Sequence, residues 1–415
     1  MKITGITAEY NPLHNGHIYH MEESRRITGC DALVVAMSGD FVQRGEPAML
    51  DKWTRAGLAL ENGADLVIEI PVLFCLGNAS QYAGASVRLL EAAGCDHISF
   101  GSECGDAALV DQVAHVIKNY RSEMDAEIAT LTRAGTSYPA ARSTVYRSIR
   151  MRGTEKYSVD DELAILSSPN DILAVEYALA MRSAEPVVIR RTGAGYNEGM
   201  THENEFQSAS GIREMHRDGL DITPYVPVDT FDAILKSRAA EMSQWWDIIR
   251  YAVLSRSAKE IEDCPSGGDG LGNLLKKELL RAESADAFIK AVKSKKYTYT
   301  RISRLCMQVV LGITRRRYPH SGPMYIRVLG FNETGRRILA ELREKEADHI
   351  CPLPVITNIN RESDKLGTSA LSLLELDTHA ADIYNVISGR DAAACSDHRM
   401  RPRMPERQNS AKPLP

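Results

Sequence analysis

Short apolar runs alternate with longer amphipathic stretches through the first 110 residues. "KITGITAEY" is apolar and β-branched, "DALVVAMSG" and "ADLVIEIPV" are short continuous apolar runs, and "CDHISFGSE" is a fourth. Each reads as a strand, the continuous ones as strands buried on both faces. Between them, "GHIYHMEESRRITG", "DKWTRAGLALENG" and "SQYAGASVRLLEAAG" have helical polarity and end at or near a glycine, the usual helix stop. Strand–helix alternation of this kind predicts βαβ units and a parallel sheet, whose ligands sit at the carboxyl ends of the strands.

The pattern then changes. Residues from about 105 to 185 read as mostly helical, with one helix starting near Ser168–Asp171. "EPVVIRRTGAGYNEG" returns to a strand and a glycine-rich loop, and "FQSASGIREMHRDG" leads from a loop into a helix. The prolines of "ITPYVPVD" break the pattern, so the first domain is expected to span 1–220. A mainly helical domain is expected over 221–394, with the loop "CPSGGDGLGN" inside it and a strand, turn and helix in "MYIRVLGFNETGRRILAELREKE". The polar, proline-rich residues 395–415 are expected to be a disordered tail. The fold class is therefore α/β, a Rossmann-like parallel sheet followed by a mainly helical C-terminal domain.

Composition narrows the class. The 415 residues are 44% hydrophobic and 25% charged, ordinary for a globular enzyme. The net charge of −5 means that any surface for a polyanion must be local. No apolar run approaches a membrane span and the start has no signal-peptide core, so a cytoplasmic protein is expected. The eight cysteines are scattered without a C-x-x-C pair, which fits reduced thiols and gives no zinc motif.

Chemistry concentrates where the first strand gives way to the first helix, in "YNPLHNGH". A helix N-terminus there offers unpaired N–H groups and the positive end of its dipole to phosphate. Gly16 lets a nucleotide approach the backbone, and His14 and His17 can donate to phosphate oxygens as charge develops during attack on the α-phosphate. The plainer account is two helix-start histidines without a role. Downstream, "SASGIRE" supplies the Ser208 and Ser210 hydroxyls and the Arg213 cation, suited to departing pyrophosphate, although Ser208 can equally be an ordinary helix cap.

These two stretches resemble the paired signatures of the HIGH-type nucleotidyltransferase superfamily. "MSGDFVQRGEPAMLDKWTRAGLALENGADLVIEIPVLF", "FGSE", "SSPNDILAVEY", "RRTGAGYNE" and "KKYTYTRISRLCMQVVLGI" are more particular, and resemble the tRNA(Met) cytidine acetate ligase family over about residues 1–390. The resemblance implies an enzyme that activates acetate with ATP and Mg²⁺ as acetyl-adenylate, then acetylates N4 of the wobble cytidine of elongator tRNA(Met). Carried over residue by residue, it makes the first loop the ATP site: Thr7, Ala8, Glu9, Tyr10, Asn11, Pro12, Leu13, His14, Asn15, Gly16, His17, Ile18, Tyr19 and His20. Gly101, Asn170, Arg191 and Thr192 join it, with Ser208 and Ser210. His14, His17 and Arg213 are the expected catalytic residues, and no metal-ligating residue is expected. Asp40 and Gly211 are small departures from the family pattern.

Charge is uneven. Between Lys276 and Arg317, twelve Lys and Arg face three acids, a surplus of nine in a chain whose remainder sums to −14. Lys293, Lys295, Lys296, Arg301, Arg304, Arg315, Arg316 and Arg317 are the candidate RNA contacts, with Tyr297, Tyr299 and Tyr318 as stacking rings. A solvated helical face is the plainer account of such a run. Two other functions stay open on the residues: an adenylyltransferase joining AMP to a phosphorylated metabolite, and an RNA-binding protein on a degenerate nucleotidyltransferase frame. Nothing in the sequence points to an obligate protein partner.

Overall fold

A computed structural model describes residues 1–152, 157–191, 206–237, 239–317, 322–348 and 351–405. Nine strands are described: β1 (Ile3–Ala8), β2 (Ala32–Ser38), β3 (Phe41–Val42), β4 (Glu46–Pro47), β5 (Leu66–Ile70), β6 (His97–Ser102), β7 (Glu185–Arg190), β8 (Ile326–Phe331) and β9 (Val355–Ile356). Seven form one sheet in the order β7-β6-β1-β2-β5-β8-β9, and β3 and β4 form a small antiparallel hairpin. All neighbours in the large sheet are parallel except β5 and β8. Every residue of β2 is buried, as a central parallel strand requires. Its alternate residues fall in two different cores: Ala32, Val34 and Ala36 in one, Leu33, Val35 and Met37 in the other. With a side-chain period of two, the sheet is thus covered on both faces.

The connections decide where a ligand can lie. From β1 the chain moves to β2 and then β5 on one side, and β6 then pairs with β1 on the other. The first two crossovers use the helices Asn15–Thr28 and Lys52–Glu61. The winding reverses between the parallel neighbours β1 and β6, which opens a crevice at their carboxyl ends, the topological switch point of such sheets. The loop Glu9–His14 and the loop that follows Ser102 both emerge there.

Two expectations from the sequence are corrected. The sheet does not end with the first 220 residues: β8 and β9, from within the expected helical domain, are hydrogen-bonded onto it, β8 beside β5. "YIRVLGF" supplies an apolar edge that β5 needs on its open side. The tail expected to be disordered from 395 is packed through its first part. Asp397 is buried and accepts from Lys52 Nζ at 2.6 Å and from Trp53 Nε1 at 3.0 Å, and Arg403 bridges to Gly330. A single carboxylate that neutralises a buried cation outweighs the low hydropathy of its neighbours. Residues 406–415 lie outside the described residues.

Lys52 is the centre of a closed ionic cluster. Its ammonium also lies 2.8 Å from Glu69 Oε1 and 4.0 Å from Asp40 Oδ2, all of them buried. The Asp40 carboxylate accepts from the Lys52 backbone N–H at 2.8 Å. Burial raises the Asp40 and Glu69 carboxyls to about 7, opposed by the Lys52 charge. The nearby carboxylates hold Lys52 protonated against its own burial.

Candidate active site

The loop after β1 is a frame more than a lining. Tyr10 and Leu13 are buried in the core, and the Asn11 side-chain oxygen accepts the Met49 N–H at 2.7 Å. Tyr10 takes a left-handed backbone (φ 47°), a conformation costing a non-glycine residue about 1–2 kcal/mol, and the Asn11–Pro12 bond is cis. Asn15 points away from the histidines, donating to the Pro224 carbonyl at 2.9 Å. Glu9 is spent on the hairpin: its carboxylate accepts the Gln43 N–H at 2.7 Å, and burial raises its pKa against that bond and the charges of Arg44, Arg213 and Arg55.

His14 is the N-cap of the helix Asn15–Thr28, an unusual residue for that position. Its Nδ1 accepts the Gly16 N–H at 3.1 Å, and His17 Nδ1 reaches back to accept the His14 N–H at 3.2 Å. The two rings form a capping box of imidazoles. They stack at 3.7 Å between centroids, and the Tyr10 ring meets the His17 ring edge-on at 4.9 Å. The geometry explains Gly16 differently from the sequence reading: a Cβ there would lie 3.0 Å from His14 Cε1, so the glycine makes room for the His14 ring.

Because both Nδ1 atoms accept, the proton of each neutral ring sits on Nε2. Burial, with the Arg191 charge, lowers the His14 pKa to about 3. Burial also holds His17 well below its ordinary value, helped by His14, Arg191 and His20. At neutral pH the pair is therefore two uncharged N–H donors beside a helix N-terminus, a surface suited to phosphate oxygens.

Arg191 stands among these histidines, as its effect on all three shows. Its backbone N–H donates to the Ser102 carbonyl at 2.9 Å, and its stem crosses Gly101, where a Cβ would lie 3.1 Å from Arg191 Cγ. Next to it, Glu103 accepts from Asn170 Nδ2 at 2.5 Å and from the Asp171 N–H at 2.9 Å. Asp171 returns the bond by accepting from the Glu103 N–H at 2.8 Å. This reciprocal lock fixes Asn170 at the start of the helix Pro169–Ala180 beside the end of β6. His20 is bonded to β6 through Ser99 Oγ at 3.0 Å, and burial lowers its pKa to about 4. Thr7 and Ala8 end β1, Ile18 is half-buried and Tyr19 is exposed, its ring 5.7 Å from that of Phe206. Thr192 lies outside the described residues.

The second signature is joined to the first. Ser208 caps the helix Ala209–Arg217, accepting the Gly211 N–H at 3.1 Å, with Ser210 Oγ 3.2 Å away. Arg213 donates to the Asn11 carbonyl at 2.7 Å and pairs with Glu46 at 3.2 Å. Residues 202 apart in sequence thus meet at one loop. Sequence reasoning did not single out Glu46, Glu103 or Phe206. The two acids stand in "RGEPA" and "FGSE", stretches already notable, and a buried-site cation such as Arg213 calls for an acidic partner nearby.

The basic segment divides. Lys293, Lys295, Lys296, Arg315 and Arg316 are exposed. Arg301 turns back to the Ser266 and Gly267 carbonyls at 3.0 and 3.1 Å, Arg315 also to Gly267 at 3.1 Å, and Arg304 to the Gln43 carbonyl at 3.2 Å. Tyr297 and Tyr299 are not presented as stacking platforms. Tyr297 is buried, donates to the Asp269 carbonyl at 2.6 Å and lies between Lys296 and Arg301; Tyr299 donates to Asp286 at 3.1 Å. Their hydroxyls found partners inside the helical layer, which an aromatic among lysines in sequence does not reveal. The Arg317 side chain and Tyr318 lie outside the described residues.

Comparison with known proteins shows the family. Residues 1–398 match the family described as HIGH Nucleotidyl Transferase. A tRNA(Met) cytidine acetate ligase of Clostridium perfringens is 34% identical over 399 residues, covering 94% of this chain and 96% of the relative. One from Lysinibacillus sphaericus is 32% identical over 399 residues, covering 93% and 94%. A crystal structure of Thermotoga maritima TmcAL bound with alpha-thio ATP superposes with a TM-score of 0.88 at 29% identity, covering 98% of this chain and 100% of that one. With its paired signatures joined through Arg213 and Asn11, and with relatives alike over almost their whole length, the chain belongs to the tRNA(Met) cytidine acetate ligase family of HIGH-type nucleotidyltransferases.

Proposed function

We propose that the protein activates acetate with ATP and transfers the acetyl group to N4 of the wobble cytidine of elongator tRNA(Met). An acetate oxygen attacks the α-phosphorus, the bond to the β-phosphate breaks, and acetyl-adenylate and pyrophosphate form. The cytidine amine then attacks the acetyl carbonyl, AMP leaves with the bonding electrons, and the amine gives up one proton to solvent. The observation that carries this reading is the imidazole capping box. Two neutral Nε2–H donors, held by their own Nδ1 bonds, lie at the start of the first helix.

In this reading His14 and His17 donate to α-phosphate oxygens, where added negative charge in the transition state strengthens the bonds. Arg213, steadied by Asn11 and Glu46, meets the departing pyrophosphate together with Ser208 and Ser210. Arg191, Asn170 and Gly101 border the nucleotide. Among the described residues no group of three or more His, Cys, Asp or Glu is placed to hold a metal ion. Mg²⁺ would come with the phosphates of ATP, where it supplies charge neutralisation. Exposed Lys293, Lys295, Lys296 and Arg316 contribute to an RNA-facing surface. No helix among the described residues is long and apolar enough to cross a membrane.

The test uses purified protein, ATP, Mg²⁺ and labelled acetate, with and without unmodified elongator tRNA(Met). Label in the RNA as N4-acetylcytidine is the expected result. Pyrophosphate release that ignores acetate and needs a phosphorylated small molecule would replace this reading with AMP transfer to a metabolite.

A further inference from the structure

The hairpin of β3 and β4 touches both halves of the machinery. On one side it meets the nucleotide loop: Gln43 N–H donates to Glu9, Met49 N–H donates to Asn11, and Glu46 pairs with Arg213. On the other it is pressed against the helix Tyr299–Val310. Arg304 donates to the Gln43 carbonyl at 3.2 Å and Ser303 Oγ to the Gly45 carbonyl at 2.7 Å. The approach is so close that a Cβ on Gly45 (φ +82°) would lie 2.2 Å from the Arg304 backbone nitrogen. One residue, Gln43, therefore has its N–H on the nucleotide side and its carbonyl on the helical side.

We infer that Arg304 is a positioning residue for the adenylation site: by holding the β3–β4 hairpin against Glu9, it lets Glu46 present Arg213 to the leaving pyrophosphate. The inference rests on the proposed ligase reaction for its kinetic consequence. It also assigns to Arg304 a duty different from the phosphate contact that its place in a basic run suggests. A guanidinium hydrogen-bonded to a backbone carbonyl 261 residues away fixes a loop; a phosphate ligand needs its donors turned to solvent.

Acetate-dependent exchange of labelled pyrophosphate into ATP, measured without RNA, reads this directly. Arg304→Ala is expected to lower kcat about tenfold with the KM for ATP within about twofold, because Arg213 acts on the departing group. Arg304→Lys, which keeps a donor for the Gln43 carbonyl, should recover most of the rate. Glu46→Gln, which leaves the helix contacts whole, should show the same kcat loss and guards against a fold defect in Arg304→Ala. Wild-type exchange by Arg304→Ala, with only tRNA affinity reduced, would overturn the inference. So would full exchange by Glu46→Gln. If the wild-type protein itself shows no acetate-dependent exchange, the ligase reaction fails and the positioning duty is read by amide hydrogen exchange. Loss of protection at Gln43 and Met49 in Arg304→Ala, with the helix Tyr299–Val310 still protected, upholds it; unchanged protection at both amides refutes it.

Discussion

Around Lys52 three buried carboxylates share one buried ammonium, whereas around His14 and His17 the protein removes the charge altogether. The Lys52 ammonium touches two carboxylates and lies near a third. The histidines instead spend their Nδ1 atoms on backbone N–H groups and lose their protons to burial. The first cluster turns its charges toward one another inside the protein and serves the fold. The second keeps polar donors in a place where a polyanion gains from them, and serves chemistry. Whether polar groups turn toward one another or toward a ligand, more than burial, distinguishes a structural cluster from a catalytic one.

Substitutions can break or sharpen this contrast. The largest expected effect is on stability: Lys52→Met strands Glu69, Asp397 and Asp40 without their cation. It should cost about 3–5 kcal/mol in urea unfolding at neutral pH. A loss below about 1 kcal/mol would show that the cluster is not closed by Lys52. His17→Ala should do the reverse. Adenylation should fall by roughly 10²–10³-fold, as for removal of one transition-state donor, while tRNA affinity and the unfolding midpoint stay near wild type. Equal loss of adenylation and tRNA binding would end the α-phosphate assignment.

The next effect depends on pH, and the two clusters have opposite signs. His14 and His20 have folded pKa values of about 3 and 4, below the ordinary 6.5. Their contribution to stability is complete above pH 6.5 and is lost as the pH falls toward 4 and then 3. Asp40 has a folded pKa of about 7, above the ordinary 3.8. Its contribution is complete below pH 3.8 and is lost as the pH rises through 7. Asp40→Asn, which cannot ionise, should therefore gain stability relative to wild type by on the order of 1–3 kcal/mol between pH 5 and pH 8. A constant difference across that range would show that Asp40 is not the titrating group. The smallest effect is Ser208→Ala, which removes a helix cap and should cost about 1 kcal/mol in thermal unfolding. No change would mean that the hydroxyl caps nothing in solution.

Much of the fold was legible because strand and helix periods are local. The runs at β1, β2, β5 and β6 and the glycine stops between them follow from adjacent residues. His14, His17 and Arg213 were legible as residue types with known chemistry. The stacked imidazoles, the Arg213–Asn11 bond and the inward turn of Arg301 and Arg304 were not, because each joins positions that only the folded chain brings together. Asp397 is the sharpest case: its surroundings in sequence read as a polar tail, and its partner Lys52 lies 345 residues away.

The antiparallel pairing of β5 with β8 also bears on how the chain is made. The register joins Val67 to Gly330 and Ile68 to Val328. At about 5–20 residues per second of synthesis, roughly 13 to 50 seconds separate the emergence of the two strands from the ribosome. For that interval "LVIEI" is the outer strand of a nascent sheet, apolar and open to pairing with other chains. Lys52, from the helix before it, is already made and can place its charge against Glu69 along that edge. The strand that covers β5 on that side is thus among the last parts of the sheet to be made.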